Sequence, residues 1–227
     1  MLIFWDIDGT LMYCGSDGTK ALNQTFAKLY NIEDAFHKVG IGSAMDSMIL
    51  EKIMDKFNIS DDHLSDIKTT FLTELEAILE ADADKRVLPG IRELIYYAER
   101  EGHVNSLLTS NMKVGAEAKL RSVNLDGYFV GGGFGDDKGE KWDIAKRAKK
   151  EIEELQKQHF RPEDVVVIGD SIYDINTARK LGYNIISVAT GWTPRTDLEK
   201  AVPDVLFEHL GDVDAVMDVL SRMTKGA

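Results

Sequence analysis

The sequence predicts an α/β protein in which a doubly wound parallel sheet carries a helical bundle inserted after the first strand. Two observations predict the sheet. Short apolar runs alternate with helical patterns along most of the chain, as βαβ units do. Strand candidates such as residues 165–168 are apolar throughout, which is typical of a sheet covered on both faces. A third observation predicts the bundle, because residues 16–80 show helical spacing and no convincing strand.

The elements of the predicted sheet follow one another in a regular order. The strand candidates are residues 2–5, 104–108, 128–130, 165–168, 185–188 and 205–207. The helix candidates are residues 91–100, 113–123, 142–158 and 172–181. The first of these helices follows the Pro89-Gly90 break, and the last is expected to end at Gly182, a favourable residue at a helix C-terminus.

In the insert, apolar residues recur at helical spacing in three successive stretches. These residues are Leu22, Phe26, Leu29 and Tyr30, then Met45, Met48, Ile49, Ile53 and Phe57, and finally Leu64, Ile67, Phe71, Leu75 and Ile78. Helices with one apolar face bury it against a neighbour, and we expect the resulting bundle to lie over the carboxyl end of the sheet. The predicted domains are a core of residues 1–14 and 85–227 and a helical domain of residues 15–84.

The composition excludes several classes of function. With 227 residues, 44% of them hydrophobic, the chain can bury a large core, while its net charge of −12 argues against a nucleic-acid partner. The single cysteine, Cys14, excludes an internal disulfide framework and suits a reducing compartment. The start lacks the basic region of a signal peptide, and no apolar stretch approaches the ~18 residues of a membrane span. We therefore expect a cytoplasmic protein without a membrane partner.

The first predicted strand runs directly into two carboxylates, Asp6 and Asp8. Alternate residues of a strand share one face, so these side chains lie about 7 Å apart along the chain. Like charges at that distance repel, and the pair needs a compensating cation or a shared proton.

Polar residues also follow two other predicted strands, at the sheet edge where ligands of open α/β sheets gather. They are Thr109, Ser110 and Asn111 after the second strand, and Asp170, Ser171 and Asp174 after the fourth. Oxygen ligands in this number, without a nearby His or Cys, suit Mg²⁺. Lys138 and Lys141 precede the helix candidate at 142–158, and a lysine with hydroxyl groups can bind a phosphoryl group. An aspartate in such company can attack phosphorus, while a second aspartate transfers protons.

Together these blocks resemble the haloacid dehalogenase superfamily of phosphohydrolases. Its first motif, a hydrophobic strand followed by D-x-D-G-T, appears as FWDIDGT at residues 4–10. Its second, an apolar strand ending in Thr or Ser, appears at residues 107–109, and its fourth, G-D-x-x-x-D, at residues 169–174. The resemblance covers essentially the whole chain. The insert resembles the four-helix C1 cap of phosphoglycolate phosphatase-like members.

The resemblance implies a role for each site residue. Asp6 would be the nucleophile and Asp8 the general acid and base. The Mg²⁺ ligands would be Asp6, the backbone carbonyl of Asp8, and Asp170, with Asp174 close by. The transferring phosphoryl group would be bound by Thr109, flanked by Ser110 and Asn111. In the insert, Gly42 and Ser43 resemble the cap segment that meets the substrate, which makes them candidate substrate contacts.

The third motif departs from the commonest family pattern. Many relatives have Lys-Pro before the helix, whereas the stretch GFGDDKGEKWDIA contains no proline. Lys138 and Lys141 are therefore alternatives for the active-site lysine. We favour Lys141, because a positive charge at a helix N-terminus is unfavourable by a few tenths of a kcal/mol and suggests another use.

The predicted function is a Mg²⁺-dependent phosphatase that hydrolyses a small phosphorylated metabolite, phosphoglycolate-like or a sugar phosphate, through an aspartyl-phosphate. A phosphomutase of the same fold is an alternative, although such mutases usually have Val where this chain has Thr10. A haloacid dehalogenase is disfavoured by the presence of Asp8, and a receiver-type signalling module by chain length. A non-catalytic phosphate-binding protein stays open. The sequence determines neither the substrate nor the oligomeric state.

Overall fold

The computed structural model describes residues 1–40, 44–136 and 139–225. Its strands are β1 (Leu2–Trp5), β2 (Met12–Tyr13), β3 (Arg86–Val87), β4 (Val104–Leu108), β5 (Gly132–Gly133), β6 (Val165–Gly169), β7 (Asn184–Val188) and β8 (Val205–Phe207). Among the described residues, six of these strands form one sheet in the order β5-β4-β1-β6-β7-β8. All neighbouring strands of this sheet are parallel.

The α-helices connect the strands and also form the insert. They are α1 (Asp17–Tyr30), α2 (Ala35–Lys38), α3 (Asp46–Phe57), α4 (Leu64–Ala81), α5 (Ile91–Arg100), α6 (Lys113–Ser122), α7 (Lys141–Gln156), α8 (Ile172–Leu181), α9 (Arg195–Lys200) and α10 (Val213–Lys225). As predicted, Gly182 ends α8 in the left-handed conformation, at a φ of 70°. None of the helices in the described ranges combines the length and the apolar character needed to span a membrane.

The side chains of β1 show that the sheet is covered on both faces. Ile3 and Trp5 belong to an apolar cluster with residues of α5, α6 and α10. Leu2 and Phe4 belong to a second cluster, with residues of α7, α8 and α9. Successive side chains of a strand point to opposite faces, so both faces are buried under helices. The predicted doubly wound parallel sheet is confirmed.

Helices α1 to α4 form the predicted helical insert between the first strand and the rest of the sheet. Its interior contains buried apolar residues such as Phe26, Ile53, Phe71 and Leu75. The two chain segments that join the insert to the sheet pair with each other through β2 and β3, an antiparallel ladder that the sequence did not predict. The domain boundaries at residues 15 and 84 stay a prediction.

One predicted strand, at residues 128–130, is wrong in position. The strand that pairs with β4 is β5, opposite Leu107 and Leu108. A Cβ atom at Gly132 would lie 2.6 Å from the Leu107 carbonyl oxygen, and one at Gly133 would lie 2.5 Å from Ile144. Only glycine fits between β4 and α7 at these two positions. The sequence prediction was wrong because residues 128–130 include aromatic and β-branched side chains, which have a higher intrinsic preference for strands than glycine has.

Candidate active site

The carboxyl ends of three adjacent strands, β4, β1 and β6, form the candidate site. Asp6 follows β1, Thr109 follows β4, and Asp170 follows β6. The backbone N–H of Asp6 donates to the carbonyl of Ile168 at 2.9 Å, which extends the pairing of β1 and β6 up to the nucleophile candidate. The parallel register therefore brings residues that are far apart in sequence to one edge of the sheet.

Three buried carboxylates form a cluster at this edge. Asp6, Asp170 and Asp174 each offer one oxygen, and the three oxygens lie within 4.8 Å of one another. Asp174 is held by reciprocal capping at the start of α8, since the Ser171 hydroxyl accepts from the Asp174 N–H and the Ser171 N–H donates to the Asp174 carboxylate. This cap directs the Asp174 carboxylate back toward the strand ends.

Lys141 is the first residue of α7 and reaches into the cluster. Its Nζ atom lies 2.9 Å from Asp6 Oδ1 and 2.7 Å from Asp174 Oδ1. The side chain is 4% exposed. The helix thus begins one residue earlier than predicted, with Glu140 as its N-cap. Lys138, the alternative lysine, lies outside the described residues, and the catalytic role of Lys141 stays a prediction.

Burial and mutual repulsion dominate the electrostatics of the cluster. Burial raises the pKa of Asp6 to about 7, although Lys141 opposes the shift. Burial, together with the charges of Asp6 and Asp174, raises the pKa of Asp170 to about 8. Burial alone would lower the pKa of Lys141, but Asp174 and Asp6 hold it above its usual value. Three carboxylates thus face one ammonium group among the described residues.

This excess of negative charge fits a divalent cation. The ligand atoms are carboxylate oxygens, which suit a hard ion such as Mg²⁺. Thr10 Oγ1 donates to Asp170 Oδ1 at 3.3 Å and helps to hold that carboxylate at the cluster. The cluster contains three of the four predicted metal ligands. The Asp8 side chain is not part of it, and the resemblance assigned only the backbone carbonyl of Asp8 to the metal.

The Asp8 carboxylate lies instead in a second network. Lys119 Nζ lies 2.8 and 2.7 Å from the two Asp8 oxygens, and Asn111 Nδ2 donates to Oδ2 at 2.7 Å. Cys14 Sγ donates to Oδ1 at 3.1 Å. Burial opposes ionisation of Asp8, but Lys119, Asn111 and Cys14 hold the pKa of Asp8 below its usual value. Burial raises the pKa of Cys14 to about 12, so it stays a thiol.

Sequence reasoning missed Lys119, although a signal was present. The buried residues Ala116, Leu120 and Val123 recur at helical spacing along α6 and just after it. Lys119 lies on the same buried face, three residues after Ala116 and four before Val123. A lysine on such a stripe has to be paired when the stripe is buried, because an isolated buried ammonium is costly. Its 5% exposure and its contacts with Asp8 meet that requirement.

The predicted phosphoryl-binding residues Thr109, Ser110 and Asn111 make hydrogen bonds to different parts of the structure. Thr109 is buried, and its Oγ1 accepts from Asn111 Nδ2 at 2.7 Å, which connects it to the Asp8 network. The Ser110 carbonyl instead accepts from the Asp46 N–H at 3.0 Å, at the start of α3. Gly42 and Ser43, the predicted cap contacts, lie outside the described residues.

A cavity of about 180 Å³ opens between the insert and the sheet beside Lys141. It is lined by Ala44, Met45, Met48, Ser110, Glu140, Lys141 and Tyr173. Residues from α3, from the loop after β4 and from the starts of α7 and α8 therefore meet around one space. Such a space, beside the lysine that contacts Asp6, can hold part of a substrate.

Two glycines allow the loops to close around Asp170. A Cβ atom at Gly191 would lie 1.6 Å from Asp170 Oδ2, and one at Gly9, whose φ is +80°, would lie 2.6 Å from Gly191. The Thr190 hydroxyl donates to the Gly9 carbonyl and ties the loop after β7 to the loop after β1. Any larger side chain at Gly191 would displace the Asp170 carboxylate.

Comparison with known protein families shows which family the chain resembles. A family model described as haloacid dehalogenase-like hydrolase matches residues 1–182. The phosphoglycolate phosphatase of Agrobacterium fabrum is 27% identical over 214 residues, which are 91% of this chain and 88% of that protein. The pyrophosphatase PpaX of Bacillus cereus is 23% identical over 237 residues, covering 98% of this chain and 97% of that protein.

A solved structure shares the fold. The crystal structure of CbbY from Rhodobacter sphaeroides in complex with phosphate aligns with a TM-score of 0.71 and 23% identity. The alignment covers 93% of this chain and 95% of CbbY. At 23% identity, the alignment shows that the two proteins share the fold of the sheet and the insert, and it shows no more than the fold.

Proposed function

The chain belongs to the haloacid dehalogenase-like hydrolase family, and we propose that it is a Mg²⁺-dependent phosphatase acting on a small phosphorylated metabolite. The observation that carries this proposal is the surroundings of Asp6. Its buried carboxylate lies between two further carboxylates and the ammonium group of Lys141. A nucleophilic aspartate that attacks an anionic phosphoryl group needs this combination of a metal site and a fixed positive charge.

In the proposed reaction, a carboxylate oxygen of Asp6 attacks phosphorus and the bond from phosphorus to the leaving oxygen breaks. Asp8 has to enter this step protonated, against the contacts that hold its pKa below the usual value. It gives that proton to the leaving oxygen, and in the second step it takes one from the water that hydrolyses the aspartyl-phosphate. Thr109 donates a hydrogen bond to the phosphoryl group, and Lys141 neutralises part of its charge. Asp6, Asp170 and the Asp8 backbone carbonyl, with Asp174 close by, would hold Mg²⁺, which would supply further charge neutralisation.

The size of the cavity supports a small leaving group. The cavity beside Lys141, about 180 Å³ in volume, has room for a short organic group. Relatives named phosphoglycolate phosphatase and pyrophosphatase support a small phosphorylated substrate. The substrates that we propose are a phosphoglycolate-like compound or a sugar phosphate. The single cysteine supports a reducing compartment, and we place the enzyme in the cytoplasm.

The test is hydrolysis by the purified protein with Mg²⁺ and with EDTA. The panel contains p-nitrophenyl phosphate, phosphoglycolate, glucose 6-phosphate and inorganic pyrophosphate. We expect Mg²⁺-dependent release of inorganic phosphate, and we expect Asp6→Asn to retain less than about a tenth of it, because loss of a nucleophile costs orders of magnitude. Hydrolysis that survives EDTA, or an active Asp6→Asn variant, contradicts the proposal. Interconversion of sugar phosphates without phosphate release identifies a mutase instead.

A further inference from the structure

The side chain of Lys119 lies in a closed network beside the proposed site. Its ammonium group bonds to both oxygens of Asp8 and, at 2.7 Å, to Asn111 Oδ1. Asn111 Nδ2 in turn bonds to Asp8 Oδ2 and to Thr109 Oγ1, both at 2.7 Å. One continuous set of hydrogen bonds therefore joins Lys119 to the proposed proton-transfer residue and to the proposed phosphoryl-binding residue.

Lys119 has no donor left over for a substrate. An ammonium group has three N–H donors, and the three contacts with Asp8 Oδ1, Asp8 Oδ2 and Asn111 Oδ1 use all of them. Its side chain is also 5% exposed, whereas that of Asp8 is 33% exposed. Lys119 thus lies behind Asp8 as seen from solvent, and any effect on the reaction passes through Asp8.

The direction of the Asp8 carboxylate depends on this network. Four contacts reach its two oxygens, two from Lys119 and one each from Asn111 and Cys14. A carboxylate has about four acceptor positions, so these contacts oppose rotation about its side-chain torsions. Precise orientation of a proton-transfer group raises turnover, since small displacements of reacting atoms are costly.

We propose that Lys119 is a positioning residue of the phosphatase reaction, which with Asn111 sets the direction in which the Asp8 carboxylate meets the leaving oxygen. The inference rests on the proposed function. It assigns to α6, a helix without a role in the family motifs found in the sequence, the task of holding the proton-transfer residue. Lys119 is distinct in this respect from Lys141, which contacts Asp6 and Asp174 directly.

The test compares two classes of leaving group in Lys119→Met, which replaces the ammonium with an apolar group of similar length. Alkyl phosphates need a proton on the departing oxygen, whereas p-nitrophenolate leaves readily without one. We expect kcat for an alkyl phosphate to fall at least about tenfold, which is part of the rate enhancement that a general acid provides. We expect kcat for p-nitrophenyl phosphate to fall less than about threefold, because its leaving group needs little help from an acid. Lys113→Met, at an exposed position of the same helix, is the matched control.

A double-mutant cycle separates positioning from a general structural effect. In an Asp8→Asn background, Lys119→Met is expected to change neither kcat nor the ratio between the two substrates by more than about twofold, because the pair acts as one unit. Each rate is measured from pH 5 to pH 8, so that a shifted pH profile is not mistaken for lost orientation. Thermal unfolding of every variant is recorded beside the kinetics.

Equal loss on both substrates, or the same loss with and without Asp8, overturns the inference while the proposed function stands. Absence of Mg²⁺-dependent hydrolysis in the unmodified protein overturns the proposed function itself. If Lys119→Met fails to fold, Lys119→Gln provides the same test, since it keeps a polar side chain at the buried position and removes the ammonium that contacts both Asp8 oxygens. It should then show the same selective loss on the alkyl phosphate.

Discussion

Asp6 and Asp8 are two residues apart in sequence, yet their side chains have different partners. Asp6 lies with Asp170, Asp174 and Lys141, and its pKa is raised by burial. Asp8 is bonded to Lys119, and its pKa is lowered. Groups whose environments move their pKa values apart are suited to different tasks in one reaction. At the scale of residues, the two carboxylates therefore differ in their partners and in the direction of their pKa shifts, and the ion pair with Lys141 favours the ionised form of Asp6 that attack needs.

Lys141 provides the first prediction. Lys141→Ala should lower kcat for p-nitrophenyl phosphate at least about 100-fold at saturating Mg²⁺, the scale seen when one preorganised charge-stabilising group is lost. Lys146→Ala, an exposed position on the same helix, should leave kcat unchanged. A Lys141→Ala variant within about threefold of the unmodified enzyme would transfer the role to Lys138.

The acidic cluster provides the second prediction, on pH and metal. The pKa values of Asp6 and Asp170 are raised to about 7 and about 8, so between about pH 4 and these values the metal-free folded state holds protons that the unfolded chain has released. The contribution of the cluster to stability is therefore full at low pH and is lost as the pH rises through 7 and 8. Mg²⁺ competes with the same protons, and its stabilising effect should grow over this window.

The measurement is the thermal midpoint with EDTA and with Mg²⁺, at about pH 6 and about pH 8. The Mg²⁺-induced shift should be larger at the higher pH. Asp170→Asn should abolish most of the shift, and exposed Asp55→Asn should not. Equal shifts at both pH values would show that these carboxylates do not hold the ion.

At the scale of elements, the start of α3 docks the insert onto the loop after β4. The Asp46 N–H donates to the Ser110 carbonyl, and the Met112 N–H donates to Asp46 Oδ2 at 2.8 Å. The Ser47 N–H donates to the Gly135 carbonyl at 2.9 Å. These bonds join the cavity wall of the insert to the loop that carries Thr109 and to the segment after β5.

Asp46 provides the third prediction. Asp46→Ala removes the bond from the Met112 N–H, so hydrogen exchange at Met112 should become faster. The value of kcat/KM should fall about fivefold, which corresponds to the ~1 kcal/mol of one hydrogen bond. Asp55→Ala, exposed on the same helix, is the control. Unchanged exchange at Met112 would mean that the insert is held to the loop by other contacts.

At the scale of the whole molecule, the insert joins the sheet through two adjacent chain segments. Met12 pairs with Val87 and Tyr13 with Arg86, and the Arg86 guanidinium lies 4.4 Å from the centre of the Tyr13 ring. This two-residue ladder holds the two connecting segments together, and a rotation of the insert about them would have to break the bonds between α3 and the loop after β4. A site that excludes water during attack and then releases product needs a lid that moves.

The fourth prediction is that the insert, acting as a cap, changes orientation during the reaction. Crystals of the Mg²⁺ enzyme with and without fluoroberyllate, which mimics an aspartyl-phosphate, should show a rotation of residues 15–84, with the backbone change near residues 13–18 and 83–87. Asp6→Asn, which lacks the acceptor carboxylate, should not respond to fluoroberyllate. A single orientation in both crystals, with slow exchange in both segments, would exclude a moving cap.

Several features of the protein could be derived from the chain alone because they depend on local order. Apolar strands alternate with helices, and in a parallel sheet this order places Asp6, Thr109 and Asp170 at one edge. The family match confirms the resemblance read from the strand-end motifs. Helices α1, α3 and α4 of the insert were likewise visible as apolar stripes.

Other features appeared only when distant segments came together. The β2–β3 ladder joins strands too short to show a periodic pattern, and β5 consists of two glycines selected by the space between β4 and α7. Lys119 meets Asp8 across 111 residues of chain. The spacing of apolar residues shows which face of a helix is buried. A charge on that face has to be paired, because an unpaired buried charge is costly. Which residue pairs with it depends on how distant segments pack together in three dimensions.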